Sequence, residues 1–228
     1  MKFCVPLLAA ALLAGSGSTS FAAIVGFEAE SGSLGSNWTT GASASASGST
    51  YITASTGAFG EFPGTSDRVA TYSIDLEAGT YDLYARYLVG PNGVNDDSFL
   101  VGNGFGEKDV STADDWIKAN QLGTAESLGQ IDADESVILS DGIFNWVNLT
   151  ADIPGTFSEQ VPQFVANTTG IYTFQIATRE DGLLIDAFAF APSASNPSSA
   201  DLSSEVPEPT GFIVGIALIS GILGQRRR

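Results

Sequence analysis

The sequence predicts an all-β domain, sandwich or barrel, and three observations predict it. Short runs alternating apolar and polar residues recur between Ile24 and Phe190. Gly, Asn, Asp and Ser clusters punctuate those runs, and no amphipathic stretch is long enough to compete as a major helix. Alternation with a period of two puts one face of a strand in a core and the other in water.

The first strand begins at Ile24, where Val25, Phe27 and Ala29 alternate with Gly26, Glu28 and Glu30, so two carboxylates are expected on one face. Gly41 to Ser49, an Ala/Ser/Gly run, reads as a loop ahead of a strand at Thr50-Tyr51-Ile52-Thr53. Strands follow at Arg68 to Asp75 and Thr80 to Val89, joined by the turn Glu77-Ala78-Gly79. In the second of these, Tyr81, Leu83, Ala85 and Tyr87 make a core face and Asp82 and Arg86 a wet one. Asp97 to Val101, Phe144 to Thr150, Ile171 to Thr178 and Leu183 to Phe190 bring the expected number to about eight.

The ends of the chain have a different chemistry. Lys2, an apolar segment from Phe3 to Ala14 and the small-residue pattern Ser20-Phe21-Ala22 predict a signal peptide over 1–22 and hence export. Cleavage there removes Cys4, the single cysteine, leaving no disulfide and no thiol. The domain is expected over 23–192, and the Pro/Ser/Ala-rich stretch 193–205 reads as a flexible linker. Over 206–228, Val206-Pro207-Glu208-Pro209 precedes a mainly apolar run of fifteen residues, Thr210 to Gly224, and then Arg226, Arg227 and Arg228. As a helix that run rises roughly 22 Å, short of the ~30 Å of a bilayer core. It is expected to enter the inner membrane transiently, the arginines holding the end on the cytoplasmic side. This tail resembles the PEP-CTERM sorting signal of exopolysaccharide-producing Gram-negative bacteria. The resemblance implies recognition and cleavage by an exosortase, then release or attachment at the cell surface or in the extracellular matrix. An ordinary single-span tail anchor is the other reading.

Formal net charge is −17, and only five of the nine basic residues fall within the domain. So acidic a surface repels phosphate backbones and anionic lipid, which argues against nucleic acid and peripheral membrane binding. It suits neutral ligands and divalent cations.

With no histidine and no cysteine in the mature chain, Ser-His-Asp triads, Cys-His dyads and His-ligated zinc are excluded. Carboxylate chemistry remains, and Asp96-Asp97, Asp114-Asp115 or Asp132, Asp134 and Glu135 are the pairs a glycosidase would need. Acidic loops are ordinary in a chain of this charge, so the domain is expected to be non-catalytic. Asp132-Ala133-Asp134 lacks the rest of an EF-hand loop, and Gly102-Asn103-Gly104 lacks the spacing of a dinucleotide fingerprint.

Three phrases, Phe27-Glu28-Ala29-Glu30, Ala78 to Arg86 and Arg179 to Phe188, resemble in order and spacing the carbohydrate-binding modules of families 6 and 35. That resemblance covers nearly all of Ile24 to Ala191 and implies a jelly-roll β-sandwich. It also implies a structural Ca²⁺ held by Glu28, Glu30 and Asp186 with backbone carbonyls of Ser45 to Thr50, against the bland reading of a solvated acidic edge. Trp146 matches the position of a sugar-stacking tryptophan, or packs in the core. Tyr51 is expected as a second aromatic wall. Leu184 stands where the family often has an asparagine, so Arg179 and Asp181 are assigned the polar grip. The function expected is that of an exported glycan-binding protein with polysaccharide or exopolysaccharide as partner. A structural matrix protein without glycan binding is the alternative, and a carboxylate-dependent glycan-active enzyme the third reading.

Overall fold

The computed structural model describes residues 22–92, 95–123, 143–151 and 160–207. The signal segment up to Phe21, the acidic stretch Asp132 to Glu135 and the tail from Glu208 to Arg228 lie outside the described residues.

Twelve strands in two antiparallel sheets account for nearly all the regular structure described. In chain order they are β1 (Val25–Glu28), β2 (Ser33–Leu34), β3 (Trp38–Ala42), β4 (Thr50–Ala54), β5 (Val69–Leu76) and β6 (Gly79–Leu88). After these come β7 (Phe99–Gly102), β8 (Trp116–Ala119), β9 (Asn145–Asn148), β10 (Phe164–Ala166), β11 (Gly170–Thr178) and β12 (Leu184–Pro192). One sheet has the order β2-β5-β11-β7-β8. The larger runs from β3 through β4 and β12 to β6, with β1 also paired to β12, and β9 and β10 both paired to β6. The expected sandwich is present, and its additional strands are mostly short edge pieces: β2 and β8 carry too few residues to show a period, and β3, which takes in Gly41 and Ala42 of the stretch expected as a loop, has no apolar alternation after Trp38.

Alternation along the central strands builds the core. Tyr81, Leu83, Ala85 and Tyr87 of β6 are all buried, as are Tyr72, Ile74 and Leu76 of β5. Phe27, Tyr72, Phe174, Phe188 and Phe190 form a ring-on-ring cluster between the sheets, with centroid separations from 5.1 to 6.3 Å. Each buried aromatic contributes about 1.5–3 kcal/mol of transfer free energy, and edge-to-face geometry adds specificity. Tyr72 keeps its hydroxyl satisfied inside by donating to the Ala29 carbonyl at 2.7 Å.

Two local expectations are corrected. The first strand stops at Glu28 and turns into a 3₁₀ turn over Ala29–Ser31, where Ser31 Oγ donates to the Glu28 carbonyl at 2.6 Å. Glu28 and Glu30 therefore do not share a strand face. The stretch expected as a flexible linker instead carries helix α1 (Ser199–Ser204), closed by a capping box between Ser198 and Asp201. Leu202 is fully buried and Val206 nearly so. Since Phe27 points into the core, its neighbour Gly26 points outward, and there the Glu205–Val206 backbone lies within 2.8–3.0 Å of where a Cβ would sit. Glycine is needed at 26 for that approach. Residues 193–206 thus form a strap across the outer face of the larger sheet. Small side chains alone do not announce a docking face in sequence, which is why the stretch reads as a tether. Among the described residues, no helix is long and apolar enough to cross a membrane.

Candidate ligand sites

Register places Glu28, Ala187, Arg86 and Trp146 in one row across the outer face, with Gly26, Ala189, Tyr84 and Asn148 in the next. Beside the first row lies the Ala/Ser/Gly loop. Ser47 donates its amide to Asp186 Oδ1 at 2.9 Å and its hydroxyl to Glu28 Oε1 at 2.8 Å. Thr50 Oγ1 donates to Glu30 Oε1. The three predicted carboxylates therefore do meet at the predicted loop.

Their partners differ from those expected. Arg86 projects from the row onto Asp186, pairs with its Oδ2, and donates from its other terminal nitrogen to the Ser45 carbonyl at 3.1 Å. A shift in register between Ile185 and Ala187 turns Asp186 toward that guanidinium. With Asp186 so engaged, no group of three acidic side chains among the described residues is arranged to hold a metal by itself. Donors that do fit a hard cation remain at Glu28, Glu30 and the loop oxygens. Glu30 Oε2 is buried without a hydrogen-bond partner. Burial raises the Glu30 carboxyl above its ordinary value, and it pushes Asp186 up to about 6 even against the opposing Arg86 charge.

Trp146 is 2% exposed, and its Nε1 donates to Ser203 Oγ of α1 at 2.9 Å. The strap covers the ring, so the core alternative describes it and an open platform does not. A small cavity persists at the edge of the strap, lined by Ser45, Ser47, Arg86, Trp146, Ser203 and Val206. Tyr51 is half-buried and lies over Gly41, whose missing side chain makes room for the ring. Its ring centroid is 5.9 Å from that of Phe144, which in turn lies 5.9 Å from the Arg86 guanidinium carbon. Tyr51 belongs with Arg86 and Trp146.

Arg179 and Asp181 lie at the loop end that leads into β12. There Phe59, which sequence reasoning missed, is 71% exposed, with the Arg179 guanidinium carbon 6.0 Å from its ring centroid. The Ala58 amide donates to the Arg179 carbonyl at 2.6 Å, and Asp181 borders the same loop at Gly57. Arg179 is fixed from behind, donating to Ser98 Oγ, to Asn120 Oδ1 at 3.0 Å and to Glu180 Oε1 at 2.9 Å. Glu180 Oε2 accepts the Asp97 amide at 2.8 Å. Asp97, fully buried, is pushed up to about 6, chiefly by burial. The sequence signal that marks Phe59 is a large aromatic between glycines, Gly57-Ala58-Phe59-Gly60, where a loop has no core to fill. Thr53 Oγ1 donates to the Asp181 carbonyl at 3.3 Å, so β4 carries the surface from Asp181 toward Tyr51.

Among the carboxylate pairs weighed for hydrolysis, Asp96 and Asp97 are sealed in, accepting from Asn92 and Gly123 amides respectively. Asp115 Oδ2 accepts the Asp109 amide at 2.7 Å in a turn. These are the contacts of structural carboxylates.

No protein-family model matches the chain, and no curated protein sequence does. Among solved structures it is similar to a GH26-CBM35 β-(1,4)-mannanase from Podospora anserina, at 19% identity and a TM-score of 0.44, over 77% of this chain and 29% of that one. It is also similar to an exo-β-1,3-galactanase from Phanerochaete chrysosporium with β-1,3-galactotriose, at 12% identity and 0.44, over 75% and 30%. A third is an isomalto-dextranase from Arthrobacter globiformis complexed with panose, at 9% identity and 0.41, over 73% and 23%. The chain spans less than a third of the length of each.

Proposed function

We propose that this is an exported, non-catalytic glycan-binding protein, carried to the cell surface or exopolysaccharide matrix by its C-terminal signal. The observation that carries the binding reading is Phe59. An aromatic ring with most of its surface in water, backed by a guanidinium that is itself locked by three acceptors, is a rigid platform for the apolar face of a sugar. Asp181 beside it supplies acceptors for sugar hydroxyls. On a surface this acidic, a neutral polyol binds without charge repulsion.

The test is retention on a panel of neutral gluco-, manno- and galacto-oligosaccharides, each as a length series. The wild type is expected to bind at least one series and Phe59→Ala to lose it. Equal retention by the two proteins, or none by the wild type, would end this reading.

Burial of Trp146 favours one rival, a matrix protein of the same fold that holds no glycan; a wild type that binds nothing on the panel supports it.

Calcium is the cofactor proposed, with Glu28 and Glu30 and the oxygens of the 45–50 loop as its holders. The buried, unpartnered Glu30 Oε2 supports it, since Ca²⁺ takes several hard oxygen ligands in flexible geometry. Export and sorting are proposed from the two ends of the sequence. The mature chain is expected to begin at or near Ala23 and, in a host with an exosortase, to lack Arg226 to Arg228. Intact-mass measurement reads both ends, and a secreted species keeping those arginines there counts against sorting.

A further inference from the structure

We propose that the strap formed by residues 193–206 is releasable, and that its opening extends the Phe59 site into a track for an elongated glycan chain. The ligand in this proposal rests on the glycan reading above; the opening of the strap does not.

The covered surface already has the chemistry. From Asp181 the outer face continues through Thr53 to Tyr51, then Phe144 and Arg86, and ends at Trp146. Aromatic rings alternate there with hydrogen-bonding groups: Tyr51 is half-buried, Phe144 is buried with the Arg86 guanidinium over its ring, and Trp146 is covered by Ser203 and its neighbours. A chain lying on Phe59 therefore meets the partly exposed Thr53, Tyr51 and Arg86 before it reaches the strap.

The strap is built to come away. Its helix has six residues, far below the length that is stable alone in water, so it is ordered only while docked. Pro197, Leu202 and Val206 are its buried anchors, Trp146 to Ser203 is a side-chain bond to the sheet, and the cavity between it and the 45–47 loop shows that its fit is incomplete. Segments with few buried apolar contacts open at lower free energy than the central strands. The released helix reverts to a tether whose composition matches what the sequence suggests, and Trp146 becomes a stacking surface next to Arg86.

Two measurements decide it. Hydrogen exchange on the intact protein is expected to show amides of 199–206 exchanging at least about tenfold faster than those of β6 and β12; exchange at the same rate as the strands overturns the proposal. Leu202→Ser is expected to leave the fold intact while acrylamide quenching of Trp146 rises, read as the difference from the same variant carrying Trp146→Phe. Leu202→Ser is also expected to hold longer oligosaccharides of the bound series more tightly than the wild type, with the monosaccharide unchanged. Unfolding of the Leu202→Ser domain, or unchanged quenching, shows that the strap is part of the cooperative core and overturns the proposal. Raised quenching without any gain from oligosaccharide length overturns the track. Failure of the Phe59 reading is seen separately, as a wild type that holds no sugar of any length.

Discussion

A ring taken from beneath the docked strap leaves a cavity, and a ring taken off an exposed loop leaves water, so stability separates the roles of Trp146 and Phe59. Trp146→Ala is expected to cost about 3–5 kcal/mol, because the ring is 2% exposed and Ser203 loses its donor. Phe59→Ala is expected to stay within about 0.5 kcal/mol of the wild type, its ring being 71% exposed. Denaturant titration of both variants measures the difference, and similar stabilities for the two would contradict these placements. The sequence around Trp146 could not have decided this. Asn145-Trp146-Val147-Asn148 reads as a strand whichever face is covered, and what covers Trp146 is a serine far down the chain. Arg86 was legible as a residue of the wet face, but its pairing with Asp186 depends on a register shift in β12 that no local pattern records.

At the scale of elements, the strands whose period is long enough to count were readable, and β5, β6, β11 and β12 stand where alternation puts them. Besides the short edge strands, the elements missed are those made by contact with something distant: the 3₁₀ turn that ends β1, and α1, whose six residues carry no helical period. The 45–50 loop joins these cases, since Ser47 and Thr50 tie it to Glu28, Glu30 and Asp186 at once. A cation bound there would link the end of β1 and the turn after it to the loop that leads into β4. Because such an ion binds only the folded arrangement, it raises stability by mass action, about 2.7 kcal/mol at a hundredfold excess over Kd. Calcium is expected to raise Tm by several degrees over chelator, and Glu30→Ala to remove the response. Identical melting of the wild type with calcium and with chelator would remove the cation from the proposed function and leave the acidic edge to solvent and Arg86.

At the scale of the whole molecule, the fold carries its acidic charge partly inside. Asp97 and Asp186 are both fully buried and both pushed up to about 6 from an ordinary 3.8, with burial the first cause in each case. Each binds a proton more readily folded than unfolded, so folding takes up protons between those values. Stability is therefore expected to rise as pH falls through about 6, an effect complete once the unfolded chain also protonates. Reduced self-repulsion across a chain of net charge −17 acts in the same direction. Asp201 works the other way. Its hydrogen bonds with Ser198 hold its carboxyl below the ordinary range, so the cap on α1 is present above that range and lost as acid titrates it. The maximum of Tm in calcium-free buffer is thus expected between about pH 4 and 5, and Asp97→Asn is expected to flatten the rise from pH 7. Thermal melts from pH 3 to 8 on both proteins measure this. A wild-type Tm that falls steadily from pH 7 to 5 would mean that the buried carboxyls are held charged against their burial, by the Arg86 guanidinium at Asp186 and the Arg179 guanidinium near Asp97.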